Sequence, residues 1–195
     1  MTKRRNDHKR SRFPILFPIL TILGIGIFAV LTSGFDKSWL HNWNDVSKSI
    51  KDSVLVAKNI GYTGGTGPNG RSMEKYAQTR LWIMNSATNS ELLNLTKYPN
   101  GTVKAIGYEG LIKKIDFNEK TNLILKSIED KEFKIFYSMG CEGFEIEISE
   151  YLMRFILTDD NHLPPIEPEL KIDYGLSRDD KVKIMTAYLD RNNKK

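Results

Sequence analysis

A mainly α-helical protein is expected, built as an N-terminal single transmembrane helix followed by a helical domain with short irregular or β segments near residues 131–148. Three observations lead there. Residues 13–35 form a charge-free apolar run of 23 residues. Much of the remainder places apolar residues three and four apart, the spacing of amphipathic helices. Between these stretches stand helix caps and turn residues rather than long alternating runs. A length of 195 residues suits one domain of ordinary size with an appendage.

The charge narrows the function classes. The chain carries 29 basic and 24 acidic residues, a formal +5. Six of the basic residues (Lys3, Arg4, Arg5, Lys9, Arg10, Arg12) lie in the first twelve positions with Asp7 as the single acid, and the remainder balances at 23 of each sign. The excess is a tail, so a basic nucleic-acid-binding domain is not expected. One cysteine excludes an intrachain disulfide, and three scattered histidines (His8, His41, His162) exclude an all-histidine metal cluster. No cofactor or metal is expected.

Taken in order, residues 1–12 read as a basic cytoplasmic tail and 13–35 as the transmembrane helix, since about 20 apolar residues cross a hydrocarbon core of roughly 30 Å. Pro14 and Pro18 fall in the first turns, where missing N–H groups cost least. The competing reading is a cleaved secretory signal. Its apolar core normally runs about 7–15 residues, whereas Pro14–Leu31 is 18. Trp39 and Trp43 suit interfacial anchors. By the positive-inside rule the N-terminus stays in the cytoplasm of a bacterial-type membrane, with the C-terminal domain periplasmic or extracellular.

Residues 36–60 carry Trp39, Leu40, Trp43, Val46, Ile50, Val54 and Ala57 at helical spacing and read as a juxtamembrane amphipathic helix. Five glycines in 61–70 mark a linker. The domain then runs over 71–195. Met73 to Met84 reads as one helix with Ser72 as a possible N-cap, and a second short helix carries Leu92, Leu93 and Leu95, capped by Asn89 or Ser90. Pro99-Asn100-Gly101 is a turn. Residues 102–114 and the segment after Asp116 give two further helices. Phe133, Ile135 and Tyr137, then Phe144, Ile146 and Ile148, alternate as strands do. Tyr151 to Ile156 turns helical again, and 159–176 with three prolines reads as loop. A last helix starts at Ser177, with Val182, Met185, Tyr188 and Leu189 as its apolar stripe.

Glu91–Lys114 resembles one unit of a HEAT-like (armadillo-type) helical repeat. Leu92, Leu93 and Leu95 stand on the first helix, Pro99 and Asn100 in the turn, and Val103, Lys104, Gly107, Gly110 and Leu111 on the second. Lys104 replaces the usual Arg, and the two glycines replace Ala, each costing roughly 1 kcal/mol of helix propensity. A poorer second unit starts at Leu123, its partner helix broken by Gly140 and Gly143. The resemblance covers about residues 76–155. It implies a binding scaffold, with the face around Val103 to Leu111 presented to a partner.

Candidate chemistry is sparse. Gly65–Ser72 fits a phosphate-loop pattern with Arg71 in place of the lysine, and Leu152–Asp159 is a Walker-B-like run. A helix precedes the loop where a strand is needed, so a flexible linker is the better reading. Cys141, flanked by Gly140 and Gly143, is an exposed nucleophile or a small buried residue at a tight turn. Glu142, Glu145, Glu147, Glu150, Asp159 and Asp160 offer an acid/base pair or calcium ligands. Their alternation with apolar residues is also that of a half-buried segment with a wet face. His41 reads as interfacial. Asn94 and Asn100 stand in glycosylation patterns.

The expectation is therefore a membrane-anchored, non-enzymatic binding or scaffold protein with an extracytoplasmic domain, a lipid bilayer around 13–35 and a protein partner on the helices. A membrane-tethered hydrolase using Cys141 or the 142–160 acidic cluster is the alternative, and a structural subunit of a larger membrane complex a third.

Overall fold

The computed structural model describes residues 13–32, 37–63, 74–139, 142–158 and 174–193. The chain forms two compact units, Met1–Lys37 and Ser38–Lys195.

The first unit holds α1 (Phe13–Thr32). The membrane-spanning helix expected over 13–35 is not supported. Helix α1 stops at Thr32 and contains Pro18. No helix among the described residues is long and apolar enough to cross a membrane.

The second unit is mainly helical. A 3-10 turn (Lys37–Leu40) precedes α2 (Lys48–Ala57). The single helix expected over 36–60 is interrupted because the Asn42 side chain accepts the Asn44 N–H at 2.9 Å, a local bond that competes with helix. There follow α3 (Glu74–Ser86), α4 (Asn89–Leu95), α5 (Gly101–Lys113) and α6 (Lys120–Glu129). Strands β2 (Lys134–Met139) and β3 (Glu142–Glu147) pair antiparallel, with Ile135 opposite Ile146 and Tyr137 opposite Phe144. The short β1 (Tyr62–Thr63) joins β2 in parallel, so the order is β1-β2-β3. The chain then enters α7 (Ile148–Tyr151), widens into a π-helical turn (Leu152–Leu157) and, after residues outside the description, ends in α8 (Arg178–Asn192).

Helix α5 is the axis of the domain. It has no polar stripe, and every residue from Gly101 to Ile112 is buried. A helix apolar on all sides belongs inside, and here α2, α3, α4, α6, α7 and β2 all touch it. The face expected to be offered to a partner, Val103 to Leu111, is therefore closed. Two glycines allow this crowding. A Cβ on Gly101 would stand 1.9 Å from the Lys134 carbonyl oxygen, and one on Gly107 would stand 2.8 Å from the Leu92 carbonyl oxygen. These are backbone contacts that cannot move aside. Helices α4 and α5 form a tight antiparallel hairpin through the second of them.

The caps explain where the helices begin. Thr88 caps α4, one residue before the expected Asn89, in a reciprocal box with Glu91. Asn100 accepts the Val103 N–H at 3.1 Å and starts α5. Ser177 caps α8 as expected, but the buried face of α8 is different. Ile184 and Arg191 are buried, Met185 and Tyr188 of the expected stripe pack against the core, and Val182 and Leu189 are exposed. Arg191 binds Glu147 and Ser149, and that demand for partners sets which side of α8 faces inward. The partner helix of the second repeat-like unit is replaced by the β2–β3 hairpin.

Glu91 also ties α2 to α4. Its carboxylate accepts the Ser47 N–H, just before α2, and the Thr88 N–H, both at 2.8 Å. Burial opposes the charge, but the bonds from Ser47 and Thr88 outweigh it and bring the pKa down to about 2. A depressed carboxylate stabilises the fold above its ordinary value of 4.5 and loses that contribution as pH falls toward 2. Acid titration followed by circular dichroism is expected to show a Glu91→Gln variant losing less stability than the parent across that window. Gly101→Ala and Gly107→Ala are each expected to cost about 1–3 kcal/mol by overpacking, read as a lower urea midpoint.

Candidate functional site

The most unusual chemistry in the domain is the charge at its centre. Glu109 lies on the buried helix α5 and is 1% exposed. Its Oε2 accepts the Tyr151 hydroxyl at 3.0 Å and the Tyr62 hydroxyl at 3.3 Å. Its Oε1 takes the Lys113 ammonium one turn along the same helix. Strand β1 delivers Tyr62, and α7 delivers Tyr151, whose rings meet edge-on at 4.5 Å. The Arg80 guanidinium, from α3, lies 4.4 Å over the Tyr62 ring. Tyr137 from β2 stacks on Phe155 of the π-helical turn at 4.4 Å. Three segments distant in sequence thus close around one carboxylate.

The electrostatics follow from this packing. Burial first, and then the Glu109 charge, push the Tyr62 and Tyr151 hydroxyls well above the usual phenol value of 10. Burial opposes the Arg80 charge, but the ionisable groups around it, Tyr62, Tyr151 and Glu109 foremost, outweigh it and raise its pKa. Each oxygen of Glu109 is engaged by protein donors, so the group acts as a structural hub and not as a base aimed at substrate.

Lys113 connects the hub to the surface. It borders a half-open cleft of about 280 Å³ together with Phe117, Asn118, Lys120, Thr121, Tyr174 and Asp180. Lys120 donates to the Tyr174 carbonyl at 2.6 Å, and Asp180 is held by the Ser177 cap. The polar groups lining the cleft are thus partly committed to holding α8 against α6. Among the described residues no group of three or more His, Cys, Asp or Glu is placed to hold a metal ion.

The sequence candidates are placed as follows. Gly65–Ser72, Cys141, Asp159, Asp160 and His162 lie outside the described residues, as does the side chain of Glu142. The Walker-B-like run is helical and π-helical over Leu152–Leu157 instead of a strand. The acidic cluster is not convergent where it is described. Glu145 is exposed, Glu147 pairs with Arg191, and Glu150 pairs with Arg154 at 2.9 Å. Asn94 donates to the Asn42 carbonyl at 3.1 Å and Asn100 caps α5. His41 packs edge-on against Trp43 at 4.7 Å and Tyr98 at 4.8 Å. The Glu109 hub escaped the sequence reading, since one acid in an apolar helix has no local partner pattern except Lys113 four residues on.

Glu109→Ala would leave two phenols and a lysine without their acceptor and is expected to cost about 3–5 kcal/mol, measured by urea unfolding. The raised phenols make a second prediction. Their contribution is complete below pH 10 and is lost as pH rises beyond it, so tyrosinate absorbance should show Tyr62 and Tyr151 ionising last, together with loss of helical signal. Burial, partly offset by a bond with Asn94, lowers the His41 pKa below 6.5. Its packing therefore favours the fold above pH 6.5 and weakens as pH falls below it, and an NMR titration of His41 should give a midpoint under 6.5. Comparison with protein-family models, curated proteins and solved structures finds no match for this chain.

Proposed function

We propose that this protein is a lipid-attached binding protein, with α1 as the attachment and the helical domain as a scaffold for a protein partner. One observation carries the reading. From Leu16 to Val30 every described side chain of α1 is exposed, with Phe17 at 74% and Ile22 at 72%. The segment is apolar around its whole circumference, so it has no polar side to turn to water. The six basic residues among positions 1–12 support the same reading, because they suit the anionic headgroups of a cytoplasmic leaflet.

A scaffold role for the domain draws on two features. Hairpin α4–α5 keeps the helix–turn–helix order of a HEAT-like unit. With α5 closed, exposed apolar side chains are instead offered by α2 and α3, at Val56, Leu81 and Trp82. Of the described members of the acidic cluster, Glu147 and Glu150 serve as partners for basic side chains and Glu145 is exposed, which gives the hydrolase alternative no support of its own.

The test is flotation of the full chain with phosphatidylcholine–phosphatidylglycerol vesicles. The parent is expected to float, and a variant with Ile22→Asp and Ile25→Asp to stay at the bottom of the gradient, because each carboxylate costs about 2.5–3.5 kcal/mol in an apolar layer. A parent chain that remains monomeric and unbound in the presence of vesicles overturns the proposal.

A further inference from the structure

We infer that the 3-10 turn at Lys37–Leu40 is a second lipid contact, in which the side chains of Trp39 and Leu40 enter the interfacial layer of the bilayer that takes α1. The inference rests on the lipid attachment proposed above. By sequence Trp39 and Trp43 are equal candidates for such a layer, and the structure separates them. Trp43 is turned into the domain, against His41 at 4.7 Å and Tyr98 at 5.3 Å, with the Lys51 ammonium 5.3 Å over its ring. Trp39 and Leu40 are 68% and 64% exposed. The His41 N–H bonds the Ser38 carbonyl at 3.2 Å and closes the turn behind them. Since His41 is itself packed on Trp43 and Tyr98, the turn is fixed to the domain.

The occupant follows from chain length and chemistry. Trp39 comes seven residues after Thr32, the last residue of α1, at most about 25 Å of extended chain. The nearest apolar phase along the chain is therefore the one around α1. An indole has an apolar body and one N–H donor, which suits the boundary between headgroups and acyl chains. A protein partner needs about 800 Å² on each side for a stable interface, far more than two adjacent side chains supply.

The experiment uses the full chain with Trp43→Phe and Trp82→Phe, which leaves Trp39 as the single tryptophan. It is bound to phosphatidylcholine–phosphatidylglycerol vesicles whose acyl chains carry bromine near the headgroup or near the bilayer centre. The expected result is a blue-shifted Trp39 emission quenched at least about twofold more by the shallow bromines, as an interfacial indole should be. A chain that floats with the vesicles while Trp39 emission is unshifted and unquenched overturns the inference and leaves the attachment intact. A chain that does not float overturns both. Should the two phenylalanine substitutions disturb the fold, Trp39→Ala with Leu40→Ala in the otherwise native chain replaces them. That pair is expected to weaken vesicle binding about tenfold at unchanged circular dichroism, and unchanged binding overturns the inference.

Discussion

The domain is organised around the need to house one carboxylate. Glu109 is carried into the interior because α5 is apolar on every other position of its middle turns and must be covered on all sides. An isolated charge there would cost several kcal/mol. Tyr62, Tyr151 and Lys113 meet it, and each tyrosine comes with its own element. Strand β1 is only two residues long, yet it places Tyr62 against the hub. The end of α7 places Tyr151 there, beside the Tyr137–Phe155 stack. The order of the sheet and the entry into α7 are thus bound to a single side chain.

The same logic of buried charge recurs at the edges. Lys104, nearly enclosed on α5, pairs with Asp130 after α6 and lies 4.5 Å over the Phe133 ring. Arg191 pairs with Glu147 and Ser149 and fixes α8 to the end of β3. Glu91 gathers the starts of α2 and α4 through N–H donors that a helix cannot satisfy internally. These pairs join segments 26 to 44 residues apart. Buried pairs give modest net stability but penalise arrangements in which one partner is left alone, so they select this packing over others open to the same apolar residues.

The proposed lipid attachment and the domain use opposite solutions to the same problem. Helix α5 hides an apolar circumference by surrounding it with protein. Helix α1 exposes one from Leu16 to Val30, and lipid is the proposed cover. The exposed Trp39 and Leu40 lie on the chain between these two solutions. Their separation from the inward Trp43 depends on His41 and Asn42, whose local contacts break the helix that periodicity alone would continue.

Most of the helices were legible because their causes are local. Ser177 with Asp180, Asn100 with Val103, and spacing by three and four act within one or two turns. The alternation around Ile135, Tyr137 and Ile146 likewise predicted strands at β2 and β3. The sequence by itself determined the charge-free segment, the neutral domain, the mainly helical class and the small residues at Gly107 that bring α4 close to α5. Tertiary structure alone decided that the expected partner face on α5 is buried, that α8 turns Ile184 and Arg191 inward beside only Met185 and Tyr188 of its expected stripe, and that Glu109 is a hub. The reason is range. A cap or a periodic face is set by neighbours along the chain, whereas the fate of a charge depends on which distant side chain reaches it, and no spacing rule encodes that.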